Sequence, residues 1–131
     1  MRFAINRREK TATGYKIGLN PSGPTDPAVP VLRLSDARGK PLAVVFGYAC
    51  HNTTLTAQIM TISGDYAGFA QAALEAEHPG TVALFITGCA ADANPNPRGT
   101  VAETRSTVRN TGSFLRRAVR AIPSAPPRKA P

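Results

Sequence analysis

The apolar positions of this chain switch between a period of two and a period of 3.6, and the switches predict its elements. Residues 2–8 alternate loosely and predict a short strand. Residues 11–30 are rich in Gly, Pro, Thr and Asn and predict a long loop. Loops of that length are uncommon inside a compact domain and are often functional. Val31-Leu32-Arg33-Leu34-Ser35 alternates strictly and predicts a half-buried strand. Asp36-Ala37-Arg38-Gly39-Lys40-Pro41 has turn chemistry, and Leu42 to Ala49 is an unbroken apolar run. The two strands so joined predict a hairpin whose second member is central.

The period then lengthens. From Ile62 onward, Tyr66, Phe69, Ala70, Ala73 and Leu74 fall on one helical face. Ser63 is the expected N-cap, Asp65 sits where the helix dipole favours an acid, and His78-Pro79-Gly80 stops the helix. Residues 81–87 predict a second buried strand, so the unit is strand, helix, strand with a parallel crossover. Residues 88–98 predict a loop, and Thr100 with Glu103 matches a capping box. A helix of about 20 residues should follow, typical of globular helices, with Val108, Leu115, Val119 and Ile122 on its apolar face. Arg105, Arg109, Arg116 and Arg120 share another, solvated face, and Pro123 ends the helix. The predicted fold class is α/β: a mixed sheet with a strand–helix–strand crossover and a C-terminal helix. Residues 1–122 are expected to form the folded part and 123–131 a Pro-rich tail that is disordered or an extended linker.

Length and charge narrow the classes. At 131 residues the chain suits one domain with a real core. The net charge of +8 gathers at the ends, from Arg2, Arg7, Arg8 and Lys10 to Arg116, Arg117, Arg120, Arg128 and Lys129. Such ends attract nucleic acid or an anionic membrane surface. Trp is absent and aromatics are few, which argues against a stacking platform for single strands. No apolar run approaches membrane-spanning length, and the N-terminus lacks the apolar core of a signal peptide. The expectation is a soluble, unexported product. Cys50 and Cys89 each follow an apolar run, which favours buried free thiols over a cysteine-containing metal site with His51.

Two loops leave the carboxyl ends of the two strands predicted to run parallel, the place where α/β sheets bind ligands. One is Cys50-His51-Asn52-Thr53-Thr54 and the other Gly88-Cys89-Ala90-Ala91-Asp92-Ala93-Asn94-Pro95-Asn96. His51 reads either as a metal ligand through a neutral imidazole or as a satisfied buried histidine, and spacing favours the second. Asp92 and Asn94 read as substrate contacts or as Asx-turns before Pro95, with turns favoured. Asp65 reads as a ligand-orienting carboxylate or a helix-capping one. Arg7 reads as an oxyanion- or carboxylate-binding group or as a surface arginine. His78, beside a helix stop, is expected to be exposed. Asn52-Thr53-Thr54 matches a glycosylation sequon, with little weight in an unexported chain.

Taken in order, five segments resemble the neutral ceramidase family. They are Phe3-Ala4-Ile5-Asn6-Arg7-Arg8, Pro30-Val31-Leu32-Arg33-Leu34, Phe46-Gly47-Tyr48-Ala49-Cys50-His51, Ser63-Gly64-Asp65-Tyr66-Ala67-Gly68-Phe69-Ala70 and Gly88-Cys89-Ala90-Ala91-Asp92-Ala93-Asn94-Pro95-Asn96. The likeness runs over about residues 2–122, rests on order and spacing rather than one motif, and looks closest to the bacterial ceramidase-like branch. It implies a zinc amidohydrolase that cleaves the N-acyl bond of a ceramide-like lipid through a zinc-bound water. The zinc is held by two histidines, a glutamate and a tyrosine. By resemblance, His51 matches the second zinc histidine, and Arg7 matches an active-site arginine. Asn94 falls where ceramidases carry a serine near the reacting amide. Asp65 matches the aspartate of the family's Ser-Asp-Asn or Gly-Asp-Tyr segment, to which the resemblance assigns no role, and Asp92 and Asp65 are the expected substrate-binding residues.

The departures carry weight. The first zinc histidine of the family lies upstream of any segment here, and the glutamate and tyrosine lie downstream. Residues 1–122 therefore resemble part of the catalytic domain, an internal fragment. A catalytic zinc needs about three protein ligands and an open water position, so the expectation for this chain alone is weak zinc binding and little hydrolysis. The expected partner is an N-acyl sphingoid lipid or related amide, with nucleic acid disfavoured. Family members are usually exported, so localisation stays open. The alternative is a small basic module for nucleic acid or anionic lipid, whose binding would fall steeply with salt. A truncated product with unpaired strand edges and poor solubility is a third reading.

Overall fold

The computed structural model describes residues 3–102 and 104. Its elements are β1 (Ala4–Thr11), β2 (Gly14–Asn20), β3 (Val31–Ser35), β4 (Pro41–Tyr48), α1 (Asp65–Glu77), β5 (Val82–Thr87) and β6 (Ala93–Pro95). They build two three-stranded sheets, ordered β2-β1-β6 and β3-β4-β5. The first is antiparallel throughout. The second is mixed: β3 runs antiparallel to β4, and β5 runs parallel to it across the α1 crossover. The α/β class and the strand–helix–strand crossover are as the hydrophobic pattern predicts. The predicted second helix beyond Thr104, its arginine stripe and the 123–131 tail lie outside the described residues.

Both predicted loops contain a strand: residues 88–98 hold the short β6, which pairs with β1, and residues 11–30 hold a longer one. Within residues 11–30, Gly14–Asn20 is a strand that pairs with β1, with Glu9 opposite Lys16 and Lys10 opposite Tyr15. The turn closes at Gly14, whose φ of 138° suits a residue without a side chain. The alternation Tyr15, Ile17, Leu19 was present in the sequence. Two glycines and an exposed outer face hid it, because the strand gains its stability from β1 rather than from its own burial.

The second sheet owes its core to α1. On alternate positions Val44, Phe46 and Ala83 point at the helix and are buried, as are Tyr66, Ala67, Ala70 and Leu74 on α1. Phe85 meets Phe46 edge-on at 5.4 Å and Tyr66 at 5.7 Å, an arrangement aromatic quadrupoles prefer. The helix also satisfies part of the outer edge of β5. Gln71 Nε2 donates to the Ala83 carbonyl at 2.8 Å, and the Ala83 N–H donates to Glu75 Oε1 at 3.0 Å. Backbone groups that would invite a further strand are thereby occupied. No helix among the described residues is long and apolar enough to cross a membrane.

The helix begins one residue later than the Ser63 cap implies. Gly64 takes the cap position without a side-chain bond, and Ser63 Oγ instead accepts from the Asp65 N–H at 3.1 Å. At the other end His78 is half-buried rather than exposed, and its N–H closes on the Leu74 carbonyl at 2.9 Å.

This packing sets an expectation for stability. Phe46→Ala should cost about 3–5 kcal/mol, the range for deleting a buried aromatic. Ile62→Ala, at a fully exposed site, should stay within about 0.5 kcal/mol. Urea unfolding followed by circular dichroism compares the two, and equal losses would contradict the assigned core.

Candidate functional site

The apolar run of β4 ends at Tyr48, and the chain turns out of the sheet through buried Ala49 and Cys50. The Tyr48 carbonyl accepts the N–H groups of both Cys50 and Gly88 at 3.0 Å, so the loops leaving β4 and β5 start together. His51 comes next, half-buried. Its backbone N–H donates to the Ala93 carbonyl at 3.0 Å, and its ring Nδ1 lies 2.9 Å from the same oxygen. A carbonyl can only accept, so the neutral ring carries its proton on Nδ1 and presents the lone pair on Nε2.

Ala93 opens β6, and β1 holds β6 in place. Ala4 pairs with Pro95, Ile5 with Asn94 and Asn6 with Ala93. Arg7 adds two bonds to the segment before β6. Its N–H donates to the Asp92 carbonyl at 2.7 Å and its Nε to the Ala91 carbonyl at 3.1 Å. Arg8 reaches the same Ala91 carbonyl at 3.3 Å. The Asp92 carboxylate accepts from Asn6 Nδ2 at 3.1 Å. Asn94 is buried, and its Oδ1 has no hydrogen-bond partner.

Asp65 acts from the other side. Its carboxylate accepts three backbone N–H groups: Thr54 at 3.1 Å, Leu55 at 2.8 Å and Tyr66 at 2.6 Å. It is buried, and its φ of 53° lies in the left-handed region that Asp tolerates better than most residues. The carboxylate therefore ties the loop after His51 to the first turn of α1. Tyr66 ties the loop before it, because its hydroxyl donates to the Cys50 carbonyl at 2.8 Å. Burial, with the Cys50 and Asp65 charges adding to it, pushes the Tyr66 phenol well up, so it stays a neutral donor.

The structure thus joins the candidate residues into one hydrogen-bonded neighbourhood. His51 is fastened to the strand of Asn94, Arg7 to the segment of Asp92, and Asp65 to the loop of His51. They do not share one cavity. Asn94 lines a cavity of about 410 Å³ with Ile5, Ile17, Leu19 and Arg98. Asp92 lines another, of about 500 Å³, with Asn6, Arg8 and Tyr15. A third, about 440 Å³, is mostly apolar and includes Phe46, Ile86 and Cys89.

Sequence reasoning missed Asn6. It is buried, and its side chain makes three bonds: to the Pro24 carbonyl at 2.9 Å, to Asp92, and from the Arg8 N–H at 2.8 Å. It sits on a bulge where the β1–β2 register shifts. An amide in a strand beside two arginines was the available signal, since Asn is depleted in strands.

The cysteines divide. Cys50 is buried and Cys89 is exposed, so the expectation of a buried thiol holds at the first site and fails at the second. Cys89 follows β5, whose last residues are themselves exposed. Burial first, and the Asp65 carboxylate second, push the Cys50 thiol up to about 12. A thiol held protonated makes a poor metal ligand. No group of three or more His, Cys, Asp or Glu gathers among the described residues. These residues therefore do not make a complete zinc site; His51 offers one imidazole.

No protein-family model matches the chain, and no curated protein matches it. Solved structures do. The chain is similar to the neutral ceramidase from Pseudomonas aeruginosa, with a TM-score of 0.66 and 22% identity over 86% of this chain and 20% of that one. It is similar to a ceramidase complexed with C2, with a TM-score of 0.67 and 22% identity over 85% of this chain and 19% of that one. The likeness shows a ceramidase-like fold. The chain spans about a fifth of the length of the solved structures it matches.

Two measurements test this network. Asp65→Ala leaves three N–H groups without an acceptor and puts alanine in a left-handed conformation, so it should cost about 2–4 kcal/mol. Asp65→Asn keeps an acceptor and the tolerated backbone and should cost less than half as much. Urea unfolding gives the values, and amide exchange at Thr54 and Leu55 should quicken first. The second test is alkaline stability. Unfolding releases Cys50 to the ordinary thiol range near 8.5, while the folded thiol stays protonated up to about 12. Its stabilising contribution is whole below the lower value and is lost as pH rises through the upper one. Denaturation midpoints should fall across that window, and less steeply in Cys50→Ala.

Proposed function

We propose that this chain forms one part of the active site of a ceramidase-like zinc amidohydrolase, an enzyme that adds water across an N-acyl amide of ceramide type. His51 supplies one zinc ligand through Nε2. Further polypeptide supplies the others, so the chain alone is inactive. Arg7 and Asn94 serve at the reacting amide. Asp92 and Asp65 serve on the substrate side, Asp65 through the loop it holds.

One observation carries this reading: the His51 ring is fixed by its Nδ1–H bond to the Ala93 carbonyl, which leaves Nε2 as a lone, oriented base. Metal-binding histidines are held in this manner by a partner on the other ring nitrogen, and loss of such a partner weakens metal affinity by about 10–100-fold. The ceramidase-like fold supports it: the chain superposes on two solved ceramidases with TM-scores of 0.66 and 0.67.

Ring nitrogen NMR of the purified chain during zinc titration tests the proposal. Zinc should move the His51 Nε2 resonance, bind weakly, and leave Nδ1 protonated. His51→Ala should abolish this response. A fluorescent N-acyl amide should remain uncleaved by the chain alone, with or without zinc. Zinc binding unchanged in His51→Ala, or hydrolysis by the variant, would sink the reading.

A further inference from the structure

The guanidinium of Arg98 takes no part in the hydrogen-bonded network around His51. Its exposed side chain makes no hydrogen bond or ion pair among the described residues. Its backbone, by contrast, is held. The Asn96 N–H donates to the Phe3 carbonyl at 2.7 Å, and the Gly99 N–H donates to the Thr54 carbonyl at 2.8 Å. Gly99 also bridges to Leu55, so Arg98 is carried beside the loop that follows His51. Its charge is felt there: it opposes the burial that pushes the Cys50 thiol up.

Arg98 and Asn94 line the same cavity of about 410 Å³, and Arg98 is the charged residue in a wall otherwise neutral. Small-molecule sites ordinarily span about 300–1,000 Å³. Asn94 is 8% exposed, its Oδ1 is closed to solvent, and no donor reaches it. A buried acceptor without a donor is costly, and such groups are few in native folds. Ile17 and Leu19 of β2 border the cavity with their side chains exposed, beside half-buried Ile5. The cavity therefore asks for an anion at Arg98, an N–H donor at Asn94 and apolar atoms along β1 and β2. A guanidinium answers a planar carboxylate best, through two parallel N–H bonds.

We propose that this cavity binds an N-acyl amino acid, with its carboxylate on Arg98, its amide N–H on Asn94 Oδ1 and its apolar part against Ile5, Ile17 and Leu19. In this class the N–H and the carboxylate are attached to one carbon, so a single small group meets both polar demands. The inference rests on the amidohydrolase reading and narrows the amide to one whose amine half is acidic. A neutral amide would satisfy Asn94 and leave Arg98 unanswered. A free fatty acid would satisfy Arg98 and leave Asn94 unanswered.

Titration of the full chain with N-hexanoylglycine, its methyl ester and hexanoate, followed by the side-chain NMR signals of Arg98 and Asn94, tests the proposal. N-hexanoylglycine should bind at least about tenfold more tightly than either, because the ester lacks the charge for Arg98 and hexanoate lacks the donor for Asn94. Arg98→Ala should weaken it about tenfold or more. Arg98→Lys should weaken it less, since the ammonium keeps the charge and loses the fork. Asn94→Ala should weaken N-hexanoylglycine and leave hexanoate unchanged. Circular dichroism matching the parent shows that the variants still fold.

No saturable shift with N-hexanoylglycine would overturn the proposal. So would equal binding of the ester or of hexanoate, or an affinity indifferent to Arg98→Ala. None of these readouts involves zinc, so the His51 response to zinc in the same samples judges the amidohydrolase reading separately. N-hexanoylglycine bound by a chain whose His51 ignores zinc would overturn the substrate assignment and leave a binding site.

Discussion

The Phe3 ring meets Tyr48 at a tilt, centroids 4.7 Å apart, and Tyr66 edge-on at 5.0 Å, joining two sheets that share no ladder of hydrogen bonds. Phe3 sits at the entrance to β1, Tyr48 ends β4 and Tyr66 opens α1. Three elements from three parts of the chain therefore meet in one aromatic cluster. Aromatic pairs of this geometry add to the burial of their own area. The cluster holds the β1–β6 sheet against the end of β4, beside the bonds of His51 to the Ala93 carbonyl.

Around that cluster the polar groups divide the work. Tyr66 uses its ring for the core and its hydroxyl for the Cys50 carbonyl. Asp65, the next residue back, uses both carboxylate oxygens on backbone N–H groups of the loop after His51. The loop bearing His51 is thus held at both ends by two adjacent residues of one helix turn. Asp65 adopts a left-handed backbone to do so. Strain of this kind persists where the surroundings over-determine a conformation, and it gathers near functional loops. The imidazole inherits its orientation from the core through a short chain of hydrogen bonds.

Much of this was legible in the chain itself, and the failures have physical causes. The apolar run of β4 and the 3.6-residue period of α1 survive in the structure because both bury a full face. The strand Gly14–Asn20 was read as loop because its partner, not its own sequence, stabilises it. Cys89 was read as buried because an apolar run precedes it, yet β5 is a sheet edge with one uncovered face. Asn6 was passed over because its value lies in partners at Pro24 and Asp92, far away in sequence.

The sequence by itself determined β1, the β3–β4 hairpin, α1 and β5 in order, the parallel crossover and the two loops where chemistry gathers. Period and turn chemistry are local, and local patterns are written in consecutive residues. The tertiary structure decided the rest. It split the strands into two sheets, spent the Asp65 carboxylate on backbone amides, and gave the His51 proton to Nδ1 by placing the Ala93 carbonyl beside it. Those outcomes depend on which distant groups come within about 3 Å of each other, the reach of a hydrogen bond. No periodicity encodes that distance; only the packed core sets it.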